Sequence, residues 1–199
     1  VRLNSLVQGF SGVRYELLRK LQQLLELEIL PVIPQEGSVG ASGDLTPMSY
    51  VAAVLSGERE VFYKGKRQSA ESVFGELGIK PLQLRPKEGL ALMNGTPVMT
   101  ALACLAFSRA EYLCKLSSRI TALCSIALKG NAYHFDDLLF SVKKHPGQNQ
   151  VAAWVHNDLN IGKAPRHNSR LQDRYSLRCA PHIIGVLEDA LPFMRQFVE

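Results

Sequence analysis

The amino-acid sequence predicts a mainly α fold, a long-helix bundle carrying one small peripheral β-hairpin. Three observations lead there. After Pro97, residues 98–129 contain neither proline nor glycine and are rich in Ala, Leu, Cys and Ile, the pattern of one very long helix with close helical neighbours. Apolar residues elsewhere recur at helical spacing, as in Leu17, Leu18, Leu21, Leu24 and Leu25. Strand chemistry is persuasive only in Val61-Phe62-Tyr63-Lys64-Gly65-Lys66-Arg67, where Gly65 supplies a turn. With 199 residues, 46% of them hydrophobic, the chain can bury a real core.

In order along the chain, Leu3, Leu6, Val7 and Phe10 form a first helical stripe, interrupted by Gly9 and Gly12. Ser11 offers an N-cap for a second helix that carries Val13 through Leu25 and is stopped by Pro31 and Pro34. Asp44 caps a third helix over residues 45–56, with Pro47 tolerated in its first turn and Gly57 ending it. Ser69 caps a short helix through Leu77 that Gly78 closes, and Pro86 opens another through Met93, broken by Asn94-Gly95. After the long helix, Gly130-Asn131 is a stop, residues 135–142 form a short helix, and His145-Pro146-Gly147 is a break. Residues 148–159 are helical, a polar loop runs through Ser169, and residues 180–199 are helical again despite Pro192.

A net charge of +5, with Lys and Arg scattered, gives little support to nucleic-acid or membrane binding and suits an anionic small molecule equally well. No stretch reads as a membrane span or signal peptide. Cys104, Cys114, Cys124 and Cys179 lack paired or metal-ligand spacing, so they read as small buried or half-buried thiols in a reducing, cytoplasmic compartment. His134, His145, His156, His167 and His182 match no compact ligand pattern, and no metal is expected. Glu88, on an otherwise apolar turn, reads as a solvated or ion-paired face residue outside any site.

The unusual stretch is Gly37-Ser38-Val39-Gly40-Ala41-Ser42-Gly43-Asp44. A phosphate loop would end in Gly-Lys-Ser/Thr, but prolines precede these glycines and Asp44 follows them. The spacing G-x-x-G-x-x-G is not a dinucleotide fingerprint, and Gly43 directly after Ser42 rules out a G-x-S-x-G elbow. On glycine content alone a solvated turn is the favoured reading. A tight turn that brings the Gly43 nitrogen against the Ala41 carbonyl carbon, however, permits ring closure with loss of water. Dehydration of Ser42 would then leave an exocyclic methylene, an electrophile that no ordinary side chain provides.

Four segments in order decide between these readings. They are Leu30-Pro31-Val32-Ile33-Pro34, the loop itself, Lys87-Glu88-Gly89-Leu90-Ala91-Leu92-Met93-Asn94-Gly95-Thr96, and Gln172-Asp173-Arg174-Tyr175-Ser176-Leu177-Arg178. Together they resemble the histidine, phenylalanine and tyrosine ammonia-lyases and their aminomutase relatives, over nearly the whole chain. The resemblance implies the ammonia-lyase type of helical bundle and a homotetramer. It also implies a methylidene-imidazolone (MIO) prosthetic group made autocatalytically from Ala41, Ser42 and Gly43. Relatives are longer, so the chain reads as an internal fragment: residues 1–95 would form the prosthetic-group region and residues 96–199 the start of the central bundle.

The implied reaction is non-oxidative elimination of ammonia from an aromatic L-amino acid to give an arylacrylate. The substrate amine would add to the methylene, a base would remove a β-proton, and ammonia would leave. The resemblance assigns carboxylate binding to Arg178 with help from Asn94, a place near the prosthetic group to Tyr175, and a supporting hydrogen bond to Gln172. An arginine suits this role because its planar fork can hold a carboxylate by two parallel hydrogen bonds. From the residues alone, Asn94 could equally cap a helix end, and Arg178 could pair with Asp173. The resemblance puts the usual tyrosine base before Val1 and a pocket glutamate after Glu199. His182 stands where many relatives carry Gln. Lys144-His145-Pro146-Gly147-Gln148 leans toward the phenylalanine and tyrosine branch. A 2,3-aminomutase, which would return the amine to the β-carbon, and a catalytically inactive structural or assembly fragment are the alternatives.

Overall fold

The computed structural model describes residues 1–160 and 170–199, so the polar loop expected up to Ser169, with His167, lies outside the described residues. The described residues are mainly helical with one small antiparallel sheet, and the chain divides into two compact units, Val1–Leu102 and Ala103–Glu199.

The first unit begins with α1 (Arg2–Val7) and α2 (Tyr15–Glu26). Ser11 does not cap α2 as expected. Gly12 turns left-handed at φ +61°, and Arg14 stays extended with its N–H on the Glu88 carboxylate at 3.3 Å, so helical geometry starts only at Tyr15 and Val13 lies outside it. Leu17, Leu21 and Leu24 of α2 are buried at spacings of four and three, the stripe that faces the core. Leu30–Pro31 then forms β1, a strand the sequence did not announce. It pairs with β2 (Glu60–Tyr63), which pairs in turn with β3 (Lys66–Ser69), making three strands where a two-stranded hairpin was expected. Two residues are too few for an alternating signal, and proline is tolerated there because β1 is an edge strand.

The hairpin itself forms as predicted. Lys64 and Gly65 both take positive φ, 49° and 73°, the combination that matches the twist of adjoining strands. Val61 and Tyr63 alternate inward to the core while Glu60 and Phe62 face out. The Ser69 hydroxyl accepts the Ser72 N–H at 3.2 Å, capping α4 (Ala70–Leu77), and Gly78 closes it at φ +64°. α3 (Leu45–Leu55) and α5 (Glu88–Met93) pack together, and Val54, Leu55 and Leu92 join Leu6, Leu17 and Phe74 in one core.

α6 (Pro97–Ala127) is the long helix expected, 31 residues, opening in the first unit and continuing through the second. In the second unit Asn131 and Asp136 each accept a backbone N–H two residues on. The extended Asp136 therefore splits the single helix expected over residues 135–142 into a 3-10 turn (Ala132–Phe135) and α7 (Asp137–Ser141). α8 (Pro146–Asn160) starts at Pro146, the position where a missing N–H costs nothing. It crosses α10 (Ala180–Arg195) closely: a Cβ on Gly147 would lie 2.3 Å from the Gly185 carbonyl oxygen. The Gly147 N–H is met by the Asp189 carboxylate at 2.6 Å. Pro192 sits within one turn of the end of α10 and does not stop it. Among the thiols, Cys124 is exposed rather than buried or half-buried, because it lies on the same outer stripe of α6 as Ile120 and Leu123. Cys114 is buried against Glu188, and burial first, then the carboxylate, push its thiol up to about 11.

Candidate functional site

The loop preceding α3 is held in a left-handed conformation at three of four successive residues, Gly40 at φ +66°, Ser42 at +57° and Gly43 at +88°. For a serine this is a sparsely populated state that surrounding structure must enforce. The enforcement comes from Gly95. Asp44 donates its N–H to the Gly95 carbonyl at 2.8 Å, and Gly43 bridges Gly95 so tightly that a Cβ on Gly43 would lie 2.0 Å from that oxygen. Glycine is therefore required at position 43 both by φ and by space. Ala41 and Ser42 remain exposed on the turn.

Asp44 occupies the N-cap position of α3, yet its side chain does not cap that helix. The buried carboxylate accepts the Met99 N–H, in the first turn of α6, at 2.9 Å and the Ser38 hydroxyl at 3.1 Å. One residue thus ties the loop to a second helix start. Asn94 ends α5 in extended geometry, φ −74° and ψ 138°, with its side chain exposed and its carbonyl held by the Arg2 guanidinium.

In the second unit Tyr175 and Arg178 come together on α9 (Tyr175–Arg178), a single helical turn. The guanidinium stacks over the phenol ring, 5.1 Å from its centroid. The alternative pairing of Arg178 with Asp173 is not made. Asp173 is buried and committed elsewhere: its carboxylate accepts the Asn131 N–H at 2.6 Å, while its own N–H donates to His134 Nε2 at 3.1 Å. Arg178 has no carboxylate partner among the described residues, and its Nε is buried without a hydrogen bond. Gln172 is exposed just before the turn and is not brought onto it. His182 rests against Phe140, ring centroids 5.3 Å apart, and burial first, then Lys143, hold it below its ordinary pKa.

A family model described as aromatic amino acid lyase matches residues 1–199. The chain belongs to the aromatic amino acid lyases. It is 43% identical over 197 residues to the histidine ammonia-lyase of Shouchella clausii (strain KSM-K16), an alignment covering 98% of this chain and 39% of that protein. The phenylalanine aminomutase of Pantoea agglomerans superposes with a TM-score of 0.89 at 30% identity, over 99% of this chain and 42% of that one. Phenylalanine ammonia-lyase from Rhodosporidium toruloides does so with a TM-score of 0.86 at 36% identity, over 97% and 31%. The chain spans about two-fifths of the length of the curated relatives it matches.

One residue of this aromatic amino acid lyase carries no signal in the sequence, and a second carries a signal that points to a different helix. Arg2 lies 92 positions from the carbonyl it holds, and no local pattern marks it. Asp44 was singled out, but for the wrong helix. No helix of the described residues is long and apolar enough to cross a membrane, and no group of three or more His, Cys, Asp or Glu among them could hold a metal.

Proposed function

We propose that this chain forms the prosthetic-group core of an enzyme that eliminates ammonia from an aromatic L-amino acid, using a methylidene-imidazolone made from Ala41, Ser42 and Gly43. The observation that carries the proposal is the enforced left-handed turn at Ser42-Gly43, packed on Gly95 with no room for a side chain. Such a turn supplies the preorganisation an internal attack needs. The Gly43 nitrogen bonds to the Ala41 carbonyl carbon, whose oxygen leaves as water with the amide protons of Gly43 and Ser42. Ser42 then loses its hydroxyl together with its α-proton as a second water. No oxidant or reductant is consumed.

When formed, the group supplies an electrophile that makes the substrate's amine a better leaving group. The chain's own residues bind and orient. Arg178, lacking a carboxylate partner among the described residues, holds the substrate carboxylate, and Tyr175 fixes the guanidinium by stacking. The roles of Asn94 in assisting and of Gln172 in supporting that segment are those the family resemblance implies. The 43% identity to a histidine ammonia-lyase makes histidine the first substrate to screen, ahead of phenylalanine and tyrosine. The likeness to a phenylalanine aminomutase supports a 2,3-aminomutase as the second reading. We also propose a cytoplasmic homotetramer, supported by the exposed apolar side chains of Leu105, Leu113, Ile120 and Leu123 along α6.

Intact mass tests the chemistry directly. The purified chain is expected to weigh two waters less than its sequence, and Ser42→Ala to carry its full mass; a wild-type chain of unmodified mass removes the proposal. Arg178→Lys is expected to weaken binding of the arylacrylate product about 10- to 100-fold, since an ammonium cannot reproduce the two parallel hydrogen bonds. Titration calorimetry reads this, and unchanged affinity would take carboxylate binding away from Arg178.

A further inference from the structure

Arg2 is a half-buried cation with an unusual set of contacts. Its Nη2 donates to the Asn94 carbonyl, its Nε is buried with no hydrogen-bond partner, and no acidic side chain pairs with it among the described residues. Burial holds its pKa below the ordinary arginine value. A half-buried charge set against a backbone carbonyl, with no acidic partner among the described residues, carries a desolvation cost. What it holds explains the cost. The Asn94-Gly95 peptide is the surface on which Gly43 packs, Gly95 itself is left-handed at φ +118°, and a Cβ there would lie 2.8 Å from Arg2 Nη2. Arg2 and Gly43 therefore both crowd Gly95, leaving no room for a side chain at either glycine. The Gly95 carbonyl in turn fixes the Asp44 N–H, the residue that follows the reacting nitrogen.

We infer that Arg2 is a positioning residue for ring closure, clamping the Asn94-Gly95 peptide so that Gly43 is pressed toward Ala41. The inference rests on the proposal that Ala41, Ser42 and Gly43 cyclise. An internal attack is sensitive to position, about 100-fold for roughly 1 Å. Loosening the floor beneath Gly43 therefore slows closure without removing any reacting atom.

The test follows the intact mass of the 199-residue chain over time after refolding. Arg2→Met, which keeps the length and apolar stem but no donor, is expected to lose its two waters at least about tenfold more slowly than wild type. Arg2→Lys keeps a donor and should fall between them. Arg2→Ala should be slow alone and regain speed when ethylguanidinium is added, a rescue that general destabilisation would not produce. Thermal melts of each variant accompany the mass traces. Arg2→Met closing at the wild-type rate overturns the inference while leaving the ring chemistry intact. Slow closure that ethylguanidinium does not restore in Arg2→Ala also overturns it, since the defect is then one of folding. A wild-type chain that never loses two waters removes the parent proposal instead.

Discussion

Gly43→Ala is expected to leave the chain at its full, unmodified mass and to lower its stability by about 2–5 kcal/mol. Two costs add. An L side chain at φ +88° pays for the left-handed backbone, about 1–2 kcal/mol. The new methyl group must also clear the Gly95 carbonyl oxygen, carbon and nitrogen, all within 2.8 Å of where it would sit, and all are backbone atoms that cannot swing aside. Either the Gly43–Gly95 contact opens or Asp44 loses its hydrogen bond to Gly95, and both disturb the Gly43 backbone that the proposed ring closure uses. Gly40→Ala is the control. Gly40 has φ +66°, but a Cβ there meets nothing within 4 Å, so only the backbone cost of about 1 kcal/mol remains and closure should proceed. Thermal unfolding and intact mass, measured on both variants, separate conformational strain from contact. A Gly43→Ala chain that melts with wild type and still loses two waters would show that the Gly95 contact is irrelevant to the loop.

The contrast between Gly40 and Gly43 shows where reading a sequence reaches its limit. Both glycines punctuate the same loop, and only the partner 52 positions downstream distinguishes them. The same holds for Asp44. Its residue type and place before Leu45 announce a helix cap, and it does cap a helix, but the one that starts at Pro97. Local chemistry says that a carboxylate can satisfy an exposed N–H; only the fold says which N–H is within reach. Elements governed by neighbours in sequence were legible: Ser69 and Gly78 bracket α4, Lys64-Gly65 turns the hairpin, and the absence of Pro and Gly gives α6. Elements governed by distant partners were not. β1 exists because β2 offers it a ladder, and α2 starts late because Arg14 is drawn to Glu88. In the candidate site the tripeptide and the Tyr175–Arg178 spacing were readable, whereas the freedom of Arg178 depended on Asp173 being occupied by Asn131.

Glu88 gives the second large effect. Its carboxylate is buried and accepts four N–H groups: Arg14 Nε and Nη2 at 2.8 Å each, the Arg85 N–H at 2.8 Å and the Arg14 N–H at 3.3 Å. It is ion-paired, not solvated, and the Arg14 hydrogen bond leads in lowering its pKa to about 2, outweighing the opposing effect of burial. Glu88→Gln puts an amide NH2 among donors and removes the buried counter-charge of Arg14, leaving it the exposed Glu16 at 2.8 Å, at an expected cost of about 3 kcal/mol near neutral pH. The sign with pH follows from the direction of the shift. The folded pKa lies below the ordinary 4.5, so the pair's contribution is complete above about pH 4.5 and fades as pH falls toward 2. Wild type and Glu88→Gln should therefore differ most in denaturant midpoint near neutrality and converge through that acid window. A difference that stays constant from neutrality to pH 2 would mean the ionised carboxylate is not what Glu88 contributes. The location makes this more than a stability matter. Glu88 is the first residue of α5, and the same short helix ends at Asn94, so anchoring Glu88 to Arg14 fixes one end of the rod whose other end presents Asn94-Gly95 to Gly43. Near neutral pH, Glu88→Gln should accordingly slow loss of the two waters as well as shift the melt, which would link a buried ion pair to the timing of the proposed ring closure.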